Sequence, residues 1–339
     1  MKIDFAMWRK ALNVIPEVSK DEWSQLDIIS RWLISTRAAV LIMTFISAAL
    51  AGLFALRDQG FQFLPWLALT LGLILAHASN NIFNDYTDFV RGVDKDNYYR
   101  NIYGAQPIAS GLVTRRQHLT YFAVTALLAL GLGLYLLWYT GFSATSWILL
   151  GLGAFFLLFY TWPLKGFALG EIAVLIVWGP LMIGGGYYVL TQHWNWFVVI
   201  ASLPYVLGVT TVIFGKHIDK LDMDKEKGIH TLPVVIGEKA SRYAVLGMMI
   251  LPYLITLYLV FARFFTPVML IVFFAFPAFL KIYPVFLKPK PETRPEGSRG
   301  WPLYFVGYAF YNNRRFGSLF MFGLLVDVLL RIFMPTFWI

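Results

Sequence analysis

The chain has 339 residues, of which 58% are hydrophobic and only 14% charged, and its mean hydropathy is +0.64. A soluble protein of this size carries about a quarter charged residues, so an ordinary soluble domain is excluded, and apolar runs of about 18 residues or more point to membrane spans. The absence of cysteine removes disulfides, thiolate metal sites and cysteine nucleophiles. The net charge of +9 is distributed as a membrane-topology signal and gives no case for a nucleic-acid partner.

Residues 1–36 are mixed in charge and lack the apolar core of a signal peptide. They read as a cytoplasmic lead-in with an amphipathic, interfacial segment around Phe5–Ile15. From residue 37 to 339 the pattern predicts a single membrane domain: an all-α bundle of nine transmembrane helices with a central cavity and two cytoplasmic Asp-rich loops. The spans fall near 37–56, 63–84, 118–141, 144–163, 168–190, 194–214, 243–262, 265–286 and 317–337, with cytoplasmic loops at 85–117, 215–242 and 287–316. Gly and Pro inside a span, as in VWGPLMIGGGYYV, are tolerated in membrane helices. The small-residue patches GLGL (131–134) and GLGAF (151–155) are expected to let neighbouring helices approach closely. All but three of the 28 Lys and Arg residues gather in the N-terminal segment and in the loops after spans two, four, six and eight. The exceptions are Arg57, Arg263 and Arg331. The positive-inside rule then places the N-terminus and the acidic loops in the cytoplasm and the C-terminus outside, with the basic loops near anionic headgroups.

Two acidic stretches break this apolar background. The first, NNIFNDYTDFVRGVDKDN, follows span two. If the helix continues through it, His77, Asn81, Asn84, Asp85 and Asp88 lie along one face. The second, GKHIDKLDMDKEKGIHTLPVVIGEK, follows span six. There Asp219, Asp222 and Glu226 share a face, and Asp224 points elsewhere if the helix is regular. Mg²⁺ keeps several waters and completes its octahedron with substrate phosphates, so two acidic loops interleaved with lysines suit a diphosphate bound through Mg²⁺ at the membrane surface. His77 reads as a packed polar residue hydrogen-bonded to a neighbouring helix. For His217 and His230 solvent exposure is as good an account as a role in the site, and Glu171 is expected to meet a Lys or a helix N-terminus.

NDYTDFVRGVD resembles the first aspartate-rich motif, NDxxDxxxD, of the UbiA-type intramembrane prenyltransferases, and DKEKGIHTLPVVIG resembles the end of their second. The likeness runs over nearly all nine spans. YTWPLKGFALGEIAVLIVWGPLMIGGGYYVL, residues 160–190, is similar to the branch that prenylates 1,4-dihydroxy-2-naphthoate in menaquinone synthesis, and Gly92 with Asp94 matches the Gly-x-Asp of that branch. The resemblance implies Mg²⁺-dependent transfer of a prenyl group from an allylic prenyl diphosphate to an aromatic acceptor within the lipid bilayer. An apolar, aromatic-lined cavity would keep water from the carbocation. It gives metal or diphosphate roles to Asn84, Asp85, Asp88 and Asp224, with Asp219 or Asp222 completing the second cluster. Diphosphate contacts fall on Arg37, Asn84 and Lys165, and the catalytic positions are Asp88, Asp224 and Tyr160.

The sequence also departs from the family pattern. Lys220 stands where the second motif has its first Asp, and Gln106 where an Arg often precedes the following Pro. The insert from Lys288 to Gly317 is atypical and reads as a surface loop entering an interfacial helix around Tyr304–Tyr311. Another quinone ring, a porphyrin or a lipid headgroup are alternative acceptors. A secondary transporter is the alternative class, although its acids would lie at the membrane midplane and not at one face.

Overall fold

The computed structural model describes residues 3–93, 105–296 and 301–334. All regular secondary structure among them is helical, apart from an isolated bridge between Phe167 and His230. Among the described residues, eight helices are long and apolar enough to cross a bilayer: Ala38–Arg57, Phe63–Val90, Arg115–Tyr139, Gly170–Thr191, Trp196–Asp219, Glu238–Phe261, Pro267–Leu287 and Phe305–Phe333. The ninth expected span is the shorter apolar helix Ala144–Phe159. At 16 residues it rises about 24 Å, less than the roughly 30 Å of a hydrocarbon core.

Three expectations change. The interfacial helix placed around Tyr304–Tyr311 and the last span, placed at 317–337, are one uninterrupted helix, Phe305–Phe333. No proline interrupts it, and its polar YNNRR segment carries a buried Asn312 into the interior. The stretch taken as a loop over 215–242 is largely helical, with Leu221–Glu226 and Leu232–Ile236 between the spans. The close helix approaches lie only in part where expected: a Cβ added at Gly133 would come within 2.9 Å of Leu150 Cδ1 on the next helix. A Cβ added at Gly151 or Gly153 would meet open space, whereas at Gly215 it would come within 2.8 Å of the Val306 backbone. Gly215 is therefore where the Trp196–Asp219 and Phe305–Phe333 helices press together.

The chain divides into two compact units, the first comprising residues 1–48 and 64–162, the second 49–63 and 163–339. In the first unit the N-terminal segment is part of the core. Ala11, Trp23, Leu26, Leu33 and Ile34 bury against Ala78, Ile108 and Val113, with Tyr86 and Phe89 packed alongside. The Arg115–Tyr139 helix buries only 11% of its apolar window, with Leu127 and Leu128 exposed. Apolar surface of that extent fits lipid, not water. In the second unit the Trp196–Asp219 helix is the axis, 72% buried over its apolar window. Phe214 and Ile218 at its C-terminal end pack with Met249, Phe279, Phe286 and Phe305. The molecule is a multi-pass integral membrane protein.

Candidate functional site

In the first unit the Phe63–Val90 helix continues beyond its apolar run, as the spacing predicts, and buries Asn81, Asp85 and Asp88 on one face. His77, one turn before Asn81, meets the Thr44 hydroxyl at 2.8 Å through Nδ1, in keeping with a packed polar contact between helices. Asn81 Nδ2 donates to the Thr36 carbonyl at 2.9 Å. That bond fixes the bend where the chain leaves the Ile28–Ser35 helix. Arg37, next in sequence, takes a left-handed backbone with φ of 53°, a conformation costly for a residue with a Cβ. The bend turns its guanidinium onto Asp85, with which it forms an ion pair. Cation and carboxylates thus meet on one face of one unit.

The helix stops by a recognisable device. Gly92, with φ of 70°, donates to the Phe89 carbonyl, and Val93 donates to the Asp88 carbonyl at 3.0 Å. This is the Schellman pattern, which needs a residue free of Cβ strain at the left-handed position. The same pattern recurs in the second unit. Gly228, with φ of 66°, donates to the Lys225 carbonyl, and Ile229 donates to the Asp224 carbonyl at 2.8 Å. Asp88 and Asp224 therefore occupy equivalent places, each one turn before the glycine that ends an acidic helix. Asp94 and Asp96 lie outside the described residues.

The second acidic stretch differs from the regular helix assumed for it. The Trp196–Asp219 helix ends at Lys220 and a new helix runs from Leu221 to Glu226. The break puts Asp219 on a different helix from Asp222 and Glu226, so the three do not share the single regular face expected for them. Asp222 is exposed, and Asp224 is buried. Both Asp219 oxygens receive backbone donors, from Phe305 N–H and Val306 N–H at 3.0 Å each, and Lys290 Nζ lies 3.6 Å from Oδ1. Asp219 thus caps the last helix. Lys220 is 9% exposed and its Nζ is 3.2 Å from Asp224 Oδ1.

Sequence reasoning missed a second polar pair here. His217 is buried, not solvated, and its Nδ1 is 2.5 Å from Glu171 Oε1. The other Glu171 oxygen faces the Leu232 N–H at 3.4 Å, at the start of the Leu232–Ile236 helix. The helix N-terminus expected as a partner for Glu171 is present, and a histidine joins it. The signal was available, since His217 continues the buried stripe of Thr210 and Phe214. Tyr160, half-buried, follows the Ala144–Phe159 helix in the first unit, and Lys165 sits in the short turn Leu164–Gly166 of the second.

Among the described residues no three His, Asp or Glu side chains gather closely enough to hold a metal alone. That suits Mg²⁺, which uses one or two carboxylates and leaves the remaining positions to water and phosphate. Each unit holds one oxygen poised for such a partner. Asn84 Oδ1 and Asp224 Oδ2 are buried with no hydrogen-bond partner among the described residues, an arrangement that costs about 1–3 kcal/mol per group unless a ligand compensates. The donor set, all oxygen, fits a hard cation.

Residues 44–314 match the UbiA prenyltransferase family. The UbiA prenyltransferase domain-containing protein 1 homolog of Drosophila melanogaster is 22% identical over 240 residues, 66% of this chain and 63% of that protein. This chain therefore spans under two thirds of the length of that relative. Digeranylgeranylglyceryl phosphate synthase of Natronomonas pharaonis is 28% identical over 225 residues, 64% of this chain and 73% of the relative. In fold, an apo UbiA homolog from Aeropyrum pernix K1 superposes with a TM-score of 0.61 at 16% identity, over 85% of this chain and 96% of the other. A UbiA homolog from Archaeoglobus fulgidus bound to GPP and Mg²⁺ gives a TM-score of 0.50 at 11% identity, over 83% and 99%. With two acidic helices ended alike, a helical membrane fold shared with UbiA homologues and a match over most of its length, the chain belongs to the UbiA prenyltransferase family.

Proposed function

We propose that this protein transfers a prenyl group from an allylic prenyl diphosphate to an acceptor, with Mg²⁺ as the required cation. The observation that carries the reading is the face on which Asp85 and Asp88 are buried beside the half-buried Asn84, with Arg37 paired to Asp85. A Mg²⁺ ion held there would neutralise charge on the departing diphosphate, which favours ionisation. In the first unit Asn84, Asp85 and Asp88 offer oxygens to a cation, and in the second unit Asp224 offers its unpartnered Oδ2 to one. Asp222 is exposed and Asp219 is engaged as a helix cap, so Asp224 is the carboxylate of the second stretch best placed for this role. Arg37 and Lys165 counter phosphate charge, and Tyr160 faces the allylic cation or its diphosphate. The allylic C–O bond breaks with both electrons on the diphosphate oxygen, the allylic carbon bonds to the acceptor, and the acceptor atom releases its proton, or at a carboxylated ring carbon its carboxyl group as CO2. Apolar walls must exclude water while the cation exists. Binding of GPP and Mg²⁺ by the Archaeoglobus homolog supports the donor and the cation.

For the acceptor we favour an aromatic quinone precursor such as 1,4-dihydroxy-2-naphthoate, on the likeness of residues 160–190 to that branch. The similarity to digeranylgeranylglyceryl phosphate synthase supports a glycerol-phosphate lipid as the second reading. The deciding experiment incubates purified protein with Mg²⁺, labelled prenyl diphosphates and both acceptor classes, and reads product masses. A prenylated naphthoate establishes the first reading and a prenylated glycerol phosphate the second. Failure to form any Mg²⁺-dependent product would remove the proposed activity.

A further inference from the structure

The three cations that fall on the far side of the charge pattern, Arg57, Arg263 and Arg331, all line one cleft of about 350 Å³, together with Asp58, Asn195 and Phe264. Every one of these residues belongs to the second unit. The connections at this end of the spans, residues 58–62, 140–143, 192–195 and 262–266, contain no other Lys or Arg. The cleft is remote from the acidic stretch of the same unit. Asn195 caps the start of the Trp196–Asp219 helix by accepting from Phe197 N–H at 2.9 Å, and Lys220 closes its other end. Across 24 residues the helical rise separates the two ends by about 36 Å.

The arginines are held in place. Arg57 forks onto Asp58 with Nε–Oδ1 of 2.8 Å and Nη2–Oδ2 of 3.1 Å, and its guanidinium lies 4.0 Å from the Phe264 ring centre. Tyr187 donates its hydroxyl to the same carboxylate at 2.7 Å. Arg331 donates to the Arg263 and Phe264 carbonyls at 3.1 and 3.0 Å. Its Nε, 3.6 Å from Asp327 Oδ2, has no hydrogen-bond partner among the described residues. Arg263 is exposed and adopts a left-handed backbone with φ of 59°. Asp58 and Asp327 leave the group of three arginines with an excess of positive charge. Phe261, Phe333 and Trp196, at the ends of the flanking helices, are exposed by 78%, 77% and 67%. Large exposed aromatics at helix ends mark the headgroup level of a bilayer.

We propose that this cleft binds the anionic phosphate headgroup of a membrane phospholipid, with the acyl chains lying against the aromatic rim. A guanidinium matches phosphate oxygens geometrically, and one already fixed loses little freedom on binding. Free phosphate has the same anionic chemistry, but it gains nothing from the rim. The function of such a lipid would be to hold together the Arg57, Arg263 and Arg331 ends of three spans at a face that otherwise lacks cations.

The test uses the full chain in nanodiscs and native mass spectrometry, with phosphatidylglycerol, phosphatidylcholine or inorganic phosphate supplied. Wild type should retain one phosphatidylglycerol in preference to phosphatidylcholine. Arg263→Asn removes one charge while keeping a residue that tolerates the left-handed backbone. It should reduce that preference about fivefold, the worth of one interfacial cation–anion contact. Arg331→Gln, compared at matched folded fraction, should do the same, and Lys281→Gln, on the Phe276–Leu287 helix and outside the cleft, should not. Equal retention of the two lipids by wild type overturns the proposal, as does an undiminished preference in both arginine variants. Displacement of the lipid by millimolar inorganic phosphate would identify a phosphate site and overturn the lipid assignment.

Discussion

Asp88 illustrates how one side chain separates charge from shape. Asp88→Asn keeps the volume and one oxygen but removes the charge that Mg²⁺ requires, so turnover should fall by about 10²–10³ or more. The fold should persist, because a carboxylate cluster without its cation repels itself. Asp96, outside the described residues, is the comparison position, and Asp96→Asn should stay near wild type. Prenyl transfer rates at saturating Mg²⁺ decide it, and an unimpaired Asp88→Asn enzyme would refute the assignment of the first stretch. Asp219 should behave in the opposite way. Asp219→Ala strips the cap from Phe305 and Val306 N–H and should cost about 1–3 kcal/mol of stability. A lowered unfolding temperature with an unchanged Mg²⁺ midpoint would identify a cap; the reverse outcome would identify a metal ligand.

At the scale of elements, the N-terminal segment is held by a single acid. Asp27 receives Ile29 and Ser30 N–H at 2.9 Å, the Ser30 hydroxyl at 2.6 Å, Asp4 N–H at 3.1 Å and the Trp8 indole at 3.1 Å. It therefore caps the Ile28–Ser35 helix and ties the Phe5–Asn13 helix to it. Burial alone would raise the carboxyl, but the hydrogen bonds from Ser30, Asp4 and Trp8 outweigh it and hold the group below the usual carboxylate range. With the folded value depressed, the stabilisation is complete above the unfolded value near 4 and drains away as pH falls through the folded one. Protection of residues 5–35 from protease at neutral pH should thus weaken only below about pH 4. Asp27→Ala should show the loosened segment already at pH 7. Proteolysis of the segment at equal rates in wild type and Asp27→Ala at pH 7 would show that Asp27 does not dock it.

At the scale of the whole chain, parity decides the placement of the C-terminus. The eight long helices alone would return it to the side of the N-terminus. The Ala144–Phe159 helix supplies the ninth crossing if it spans with Thr161 and its flanking aromatics at the interface. We expect it to do so, because Lys165 follows it and the chain before it, residues 140–143, has no cation. A tag after Ile339 should then be labelled from outside, and probes at 140–143 and 160–169 from opposite sides. Labelling of the Ile339 tag from the cytoplasmic side alone would break the nine-span topology.

Composition and periodicity by themselves determined that the chain is helical and membrane-embedded, where most spans lie, and which helix face carries Asn84, Asp85 and Asp88. Those properties depend on runs of apolar residues and a fixed helical repeat, both local. The family was legible for the same reason, since its motifs are short stretches of neighbouring residues. The second acidic stretch was not legible, because its geometry depends on a break at Lys220 that no local propensity announces. Only tertiary structure decides that Asp219 is used by a helix beginning at Phe305, eighty-six positions away in sequence. Likewise, the burial of His217 against Glu171 and the gathering of Arg57, Arg263 and Arg331 into one cleft arise where separate spans end side by side. A polar group takes whichever partner the packing brings to it, and the sequence records the group without the partner.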